Sequence, residues 1–139
     1  MTVHPASRRP ILISVMQFED SLKAGTLTVF DVIETADRLG ADGVELRRET
    51  WPQWQAELPT ARAKAEAHGL MLTYATHVTL FSEDEQGQAV LRQDIDAAAA
   101  LGSPLLRVFQ GPAPATDDDD RWTAAHAVID YAAACNVVV

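Results

Sequence analysis

A short phrase recurs along the chain and limits what it can fold into. Leu39-Gly40, His68-Gly69 and Leu101-Gly102 each close an amphipathic stretch, and an apolar, β-rich run follows each a few residues later. Glycine just past the last apolar turn is a helix stop, because it takes the left-handed backbone conformation without steric cost. The runs begin about 30 residues apart, the length of one βα unit. Strands alternating with helices imply a parallel sheet joined by right-handed crossovers. Two architectures satisfy that pattern: an open doubly wound sheet, and the wall of a (β/α)8 barrel.

The elements can be placed from their signals. Residues 11–16 form an apolar run and are expected to be the first strand. Thr28 reads as an N-cap with Asp31 completing a capping box, and Leu27 and Val32 are spaced for a hydrophobic staple. Val29, Ile33, Ala36 and Leu39 continue that helix, and residues 44–47 form the second strand. Pro52 marks a turn, and Pro59 is expected in the first turn of a helix over 59–68, since proline is tolerated there and not in a helix interior. A third strand is expected over 70–76 and a third helix on Leu91, Ile95, Ala98 and Leu101. A fourth strand over 105–109, a fourth helix on Trp122, Ala125, Ile129 and Ala132, and the start of a fifth strand at 137–139 complete the pattern. A whole barrel needs about 250 residues. The expectation is therefore one partial (β/α)8 domain over residues 1–139, about half a barrel: four βα units cut within the fifth strand.

Composition narrows the function classes. Hydrophobic residues make up 47% and charged residues 22%, a globular balance that argues against disorder, a coiled coil or a collagen-like chain. Cys135 is the single cysteine, so neither an internal disulfide nor a cysteine zinc finger can form. The apolar run after Arg8-Arg9 is too short for a membrane span, and the expected location is the cytoplasm. Eleven Lys and Arg against 20 Asp and Glu give a net charge of −9, which repels nucleic acid. Neither a Gly-x-Gly-x-x-Gly run nor a phosphate-loop motif is present.

Several phrases carry a family resemblance. Ala36-Asp37-Arg38-Leu39-Gly40-Ala41-Asp42-Gly43-Val44-Glu45-Leu46-Arg47 resembles the first helix and second strand of the xylose isomerase-like TIM barrels, which include the sugar phosphate isomerases/epimerases. Ala67-His68-Gly69-Leu70 is similar, as is the run from Ala99 through Pro104 into Leu106-Arg107-Val108-Phe109-Gln110-Gly111. The resemblance spans residues 11–139. It implies a divalent metal (Mn, Mg, Co or Zn) at the C-terminal mouth of the strands, and carboxylates that move a proton beside a sugar carbonyl. It also implies that the main metal ligands come from strands five to eight, so the chain by itself is expected to hold the metal weakly or not at all.

Barrel geometry then sorts the polar strand residues. Alternate residues point inward, and that parity puts Ser14, Glu45, Arg47, Thr73, His77 and Arg107 inside. Ions inside a fold need partners, because desolvation costs several kcal/mol each. For Glu45 the plain reading is an ion pair with Arg107 joining strands two and four; the sharper one is a carboxylate that touches substrate. Arg47 reads either as a contact to a sugar hydroxyl or phosphate or as a solvated surface arginine. His77 stands at the C-terminal end of strand three, as a substrate or metal contact or as a histidine bonded to a neighbouring loop. Gln110 joins the expected substrate contacts. The related DNA-repair endonucleases carry a histidine after strand four where this chain has Gln110, which favours the sugar isomerases. Trp51, Trp54 and Phe81 fall in loops, over a sugar face or along the rim. His4, His68 and His126 have weaker claims. Asp117 to Asp120 suit a helix N-terminus, and EF-hand spacing is missing.

The leading expectation is a sugar phosphate isomerase/epimerase-like barrel that enolises a small sugar or polyol with a metal's help. The rival is a non-catalytic half-barrel that pairs with itself or with another chain, since open strand edges and an uncovered inner face invite association. Continuation past Val139 into a Glu-bearing strand would separate the two. The third reading, an endonuclease-like barrel, is opposed by the charge and by Gln110.

Overall fold

The computed structural model describes residues 8–81 and 85–139. Strands and helices alternate: β1 (Leu12–Ser14), α1 (Glu19–Lys23), α2 (Val29–Arg38), β2 (Gly43–Arg47), α3 (Trp54–Ala67), β3 (Met71–Thr79), α4 (Glu85–Leu101), β4 (Leu106–Phe109) and α5 (Asp120–Ala134). Short 3-10 turns at Val15–Phe18 and Arg48–Thr50 follow β1 and β2. The strands are parallel and lie side by side in chain order. With right-handed crossovers, that order sends every helix to the same face. A doubly wound sheet reverses its order part-way, so these four strands form a barrel wall.

Helices α2, α3, α4 and α5 repeat the backbone knot that ends α1, where Gly25 has φ 71° and the Thr26 N–H reaches back to Ser21. Gly40, Gly69 and Gly102 have φ of 71°, 65° and 72°, and Asn136 after α5 has φ 58°. In each case the next N–H reaches back five residues: Ala41 to Ala36, Leu70 to Ala65, Ser103 to Ala98, Val137 to Ala132. This is the Schellman closure, and asparagine is the side chain that best tolerates the left-handed conformation after glycine. The fourth repeat was hidden in the sequence because Asn136 replaces the glycine. Past it, Val138 pairs with Leu105 as a parallel bridge, so residues 137–139 take the fifth-strand position beside β4.

The capping box of α2 forms as expected: Thr28 Oγ1 accepts from Asp31 N, and Asp31 Oδ2 accepts from Thr28 N at 2.7 Å. Three expectations need correction. The first strand stops at Ser14, whose Oγ accepts the Met16 N–H and turns the chain into the 3-10 turn. The helix expected from Pro59 starts five residues earlier and carries Pro59 inside it. An interior proline costs about 3 kcal/mol, but burial of Leu58, Ala61 and Ala65, and the Trp51 indole bonded to Glu57 at 2.6 Å, hold the first turn in place. The third strand runs on to Thr79, for a reason that belongs to the site.

Burial follows parity. Val44, Leu46, Tyr74 and Leu106 face the helices and are at most 1% exposed. The opposite face leaves Met71, Leu105 and Phe109 exposed. At Gly43 the register opposite Met71 is so close that a β-carbon would strike the Met71 carbonyl. One charge sits within the helix layer. Asp94 of α4 is fully buried, 3.3 Å from the Arg48 guanidinium. Burial pushes its carboxyl up to about 6 against the pull of Arg48, and neither oxygen makes a hydrogen bond. No described helix is long and apolar enough to cross a membrane.

Candidate functional site

The inner face carries two charged groups on β2, one residue apart in the pleat. Glu45 lies nearer the floor. Arg107 reaches across β3 and holds it with two bonds, Nε to Oε2 at 2.9 Å and Nη2 to Oε1 at 2.6 Å. Ser14 of β1 adds a third bond at 3.3 Å. The Arg107 hydrogen bonds hold the Glu45 carboxyl below the ordinary range, more strongly than burial raises it. The expected ion pair is therefore present, and it ties β1, β2 and β4 together over the middle strand.

Arg47 lies nearer the mouth. Its Nη1 is 2.5 Å from His77 Nε2. An arginine can only donate, so Nε2 accepts and the ring carries its proton on Nδ1. The His77 ring also sits against Phe109, centroids 5.5 Å apart and tilted by 45°. What places His77 there is an irregularity in the sheet. Ala75 pairs with Arg107, but the next pair is Thr79 with Phe109, so β3 bulges around Thr76, His77 and Val78. A bulge removes N–H groups from the ladder. Glu49, in the turn after β2, collects them: its Oε1 accepts from His77 N at 2.7 Å and from Thr76 Oγ1 at 3.2 Å. Burial pushes the Glu49 carboxyl up, but these donors outweigh it and leave the group below its usual range. Bulges beside active sites commonly re-aim a side chain in this way. Sequence reasoning missed Glu49, although a charged run Arg47-Arg48-Glu49 straight after a buried strand was a usable signal.

The remaining candidates scatter. Gln110 is exposed just past β4, and its carbonyl accepts the Phe81 N–H. Trp51 is only 2% exposed and packs into the core, while Phe81 is buried and meets Trp122 edge-on at 4.9 Å. Trp54 begins α3. His68 caps α3 and bonds Asp37 at 2.8 Å, and His126 is exposed on α5. His4 lies outside the described residues. Asp119 is the N-cap of α5 and is held at about 2 by Arg121. Among the described residues no three His, Cys, Asp or Glu side chains come together as a cation cage. With Nε2 of His77 turned to a guanidinium, the described residues do not fit the divalent metal that the resemblance implies.

No protein-family model and no curated protein matches the sequence. Solved structures do match. The D-psicose 3-epimerase of Clostridium cellulolyticum H10, solved with D-tagatose, superposes with a TM-score of 0.71 at 18% identity, covering 93% of this chain and 50% of that one. The chain has the fold of a xylose isomerase-like TIM barrel. The D-allulose 3-epimerase of Methylomonas sp., solved with D-allulose, gives 0.68 at 19% identity over 95% of this chain and 50% of its own. A xylose isomerase domain containing protein of Salmonella typhimurium LT2 gives 0.65 at 17% identity over 91% and 46%. The chain thus spans about half the length of the structures it matches. In this half-barrel, Arg47, His77 and Phe109 occupy the C-terminal ends of the strands, where barrel enzymes place their chemistry.

Proposed function

We propose that the protein acts in a sugar isomerase/epimerase reaction, moving a proton at the carbon beside the carbonyl of a small sugar or polyol. The observation that supports this most is the cluster at the mouth on this fold: Arg47, His77 and Glu49 brought together by a bulge and three hydrogen bonds. Such a pre-set cluster orients a ligand without further ordering cost. In this reading Arg47 and the Nδ1–H of His77 bind and orient substrate oxygens. Phe109, 48% exposed, offers an apolar face to the sugar ring. Glu45 acts through its bond to Arg107, holding the wall at a fixed curvature. The described residues supply no metal cage, so these roles are those of the chain's own side chains. The reading takes the protein to be cytoplasmic, supported by its single cysteine. Its test is incubation with D-psicose, D-tagatose and L-ribulose in deuterium oxide, with and without Mn or Co. Epimer formation with deuterium at the epimerised carbon is the expected result. No exchange into any of the three sugars under either condition contradicts it.

A second reading concerns association. The inner face exposes Met71 on β3 and Leu105 and Phe109 at β4, and β1 forms the outer edge of the described sheet on the other side. We propose that further strands cover this face in the working protein, from a second copy of the chain or from the missing C-terminal half of the barrel. Light scattering at micromolar concentration is expected to show a species larger than a 15.1 kDa monomer. A stable monomer contradicts this.

A further inference from the structure

We propose that Arg47 and His77 form a subsite for an anionic oxygen group, a carboxylate or phosphate, carried by the substrate. The proposal rests on the reading of the mouth as a substrate site and names the chemistry of that substrate. Arg47 is only 7% exposed. Charges that deep are normally met by an opposite charge, yet none of the ion pairs among the described residues includes Arg47. Its Nε is enclosed with no hydrogen-bond partner. Its Nη1 is spent on a neutral ring nitrogen. Its Nη2 makes no hydrogen bond and is not among the enclosed unpartnered atoms.

The nearby carboxylates do not fill the gap. Glu45 is committed to Arg107 and feels Arg47 only as its weakest attraction, and Glu49 is committed to Thr76 and His77. Glu19 is held down first by its Lys23 hydrogen bond, with Arg47 contributing only a weaker attraction at a distance. The pair therefore ends in unused donors, Arg47 Nη2–H and His77 Nδ1–H, around one positive charge that Glu45 and Glu19 attract but do not meet in an ion pair. A neutral hydroxyl would satisfy a donor and leave the charge unmet. An anionic oxygen meets both needs, and the guanidinium edge suits carboxylate and phosphate in particular. The net charge of −9 disfavours diffuse anion binding, so an anion held here is held by the site.

The test is a titration of the 139-residue chain, first with inorganic phosphate and separately with glycolate, at constant ionic strength in sodium chloride. Nuclear magnetic resonance follows the Arg47 Nε–H and the His77 ring. Saturable shifts centred on those two groups are expected. Phosphate alone identifies a phosphate site, glycolate alone a carboxylate site, and both a shared oxyanion site. Arg47→Met is expected to weaken binding at least about tenfold, while Arg62→Met, on the outer surface of α3, leaves it unchanged. If Arg47→Met does not fold, the location of the shifts in the unaltered chain decides. No binding of either anion, shifts centred elsewhere, or undiminished affinity in Arg47→Met overturns the proposal. Epimerisation of neutral ketoses without anion binding would overturn it while leaving the proposed reaction standing; anion binding without epimerisation would do the reverse.

Discussion

Glu45 and Arg47 stand on one strand, face one side, and are separated only by Leu46, yet their surroundings differ in kind. Glu45 is answered: a bidentate arginine and a serine hydroxyl meet its two oxygens. Arg47 is more deeply buried and is answered only by a histidine nitrogen. Buried charge without a counter-charge is costly and persists where something other than folding holds it. The floor of the half-barrel holds its charge in an ion pair, and the mouth holds a buried guanidinium with none, which is the charge the proposed ligand would meet. Leu46, pointing the other way into the helix layer, supplies the reference for pure packing.

Substitutions along β2 test that contrast. Leu46→Ala is expected to have the largest effect, about 2–5 kcal/mol of stability by urea unfolding, as for other fully buried leucines. A smaller loss would mean that the helix layer is loosely packed. Next comes the buried Asp94 behind the sheet. Its folded carboxyl lies at about 6, above the ordinary 3.8, so between those values the folded state binds more protons than the unfolded one. Stability from this group is therefore lost as pH rises from about 4 to 6, by at most about 3 kcal/mol. The stability difference between the natural chain and Asp94→Asn is expected to shift by that amount, in favour of the natural chain at the acid end. A difference independent of pH would contradict the buried, raised carboxyl.

The Glu45–Arg107 pair is expected to be worth about 1 kcal/mol of coupling in a double-mutant cycle with Glu45→Gln and Arg107→Met, because Arg107 is half-exposed and screened by water. The Glu45 carboxyl is lowered, so its contribution is present above the ordinary carboxylate range and lost as pH falls through its folded value. Glu45→Gln is accordingly expected to soften the acid limb of the stability profile. The smallest effect belongs to Arg47→Met. Removing an unpaired buried charge is expected to change stability by less than about 1 kcal/mol, and towards gain. A loss as large as that of Leu46→Ala would show that Arg47 is structural and that the two ends of β2 are alike.

The sequence carried the frame of this fold because its signals are local. Glycine stops, the Thr28–Asp31 box and strand parity each depend on neighbours a few residues away, and parity sufficed to bring Glu45 to Arg107 across 62 residues. What it hid depends on tertiary contact. Pro59 sits inside α3 because burial outweighs a lost backbone bond. The bulge in β3 depends on Glu49 arriving from another strand. The Arg48–Asp94 pair joins a turn to a helix that no periodicity connects. Parity put Glu45, Arg47 and Arg107 on the inner face, but the partnership of Arg47 with His77 could not be read, because the bulge that makes it has no local signature.

The central claim is that the mouth of the inner face, at the ends of β2, β3 and β4, is the binding site. A second hollow exists between α1 and the start of α3, lined by Leu22, Leu27, Val29, Trp51 and Pro52, and offers a direct rival. Backbone and side-chain resonance shifts during titration with D-psicose separate them. Saturable shifts are expected at Arg47, His77 and Phe109, with little change around Leu22 and Trp51. Shifts centred on the hollow beside α1, or none at the mouth up to saturating sugar, would contradict the claim.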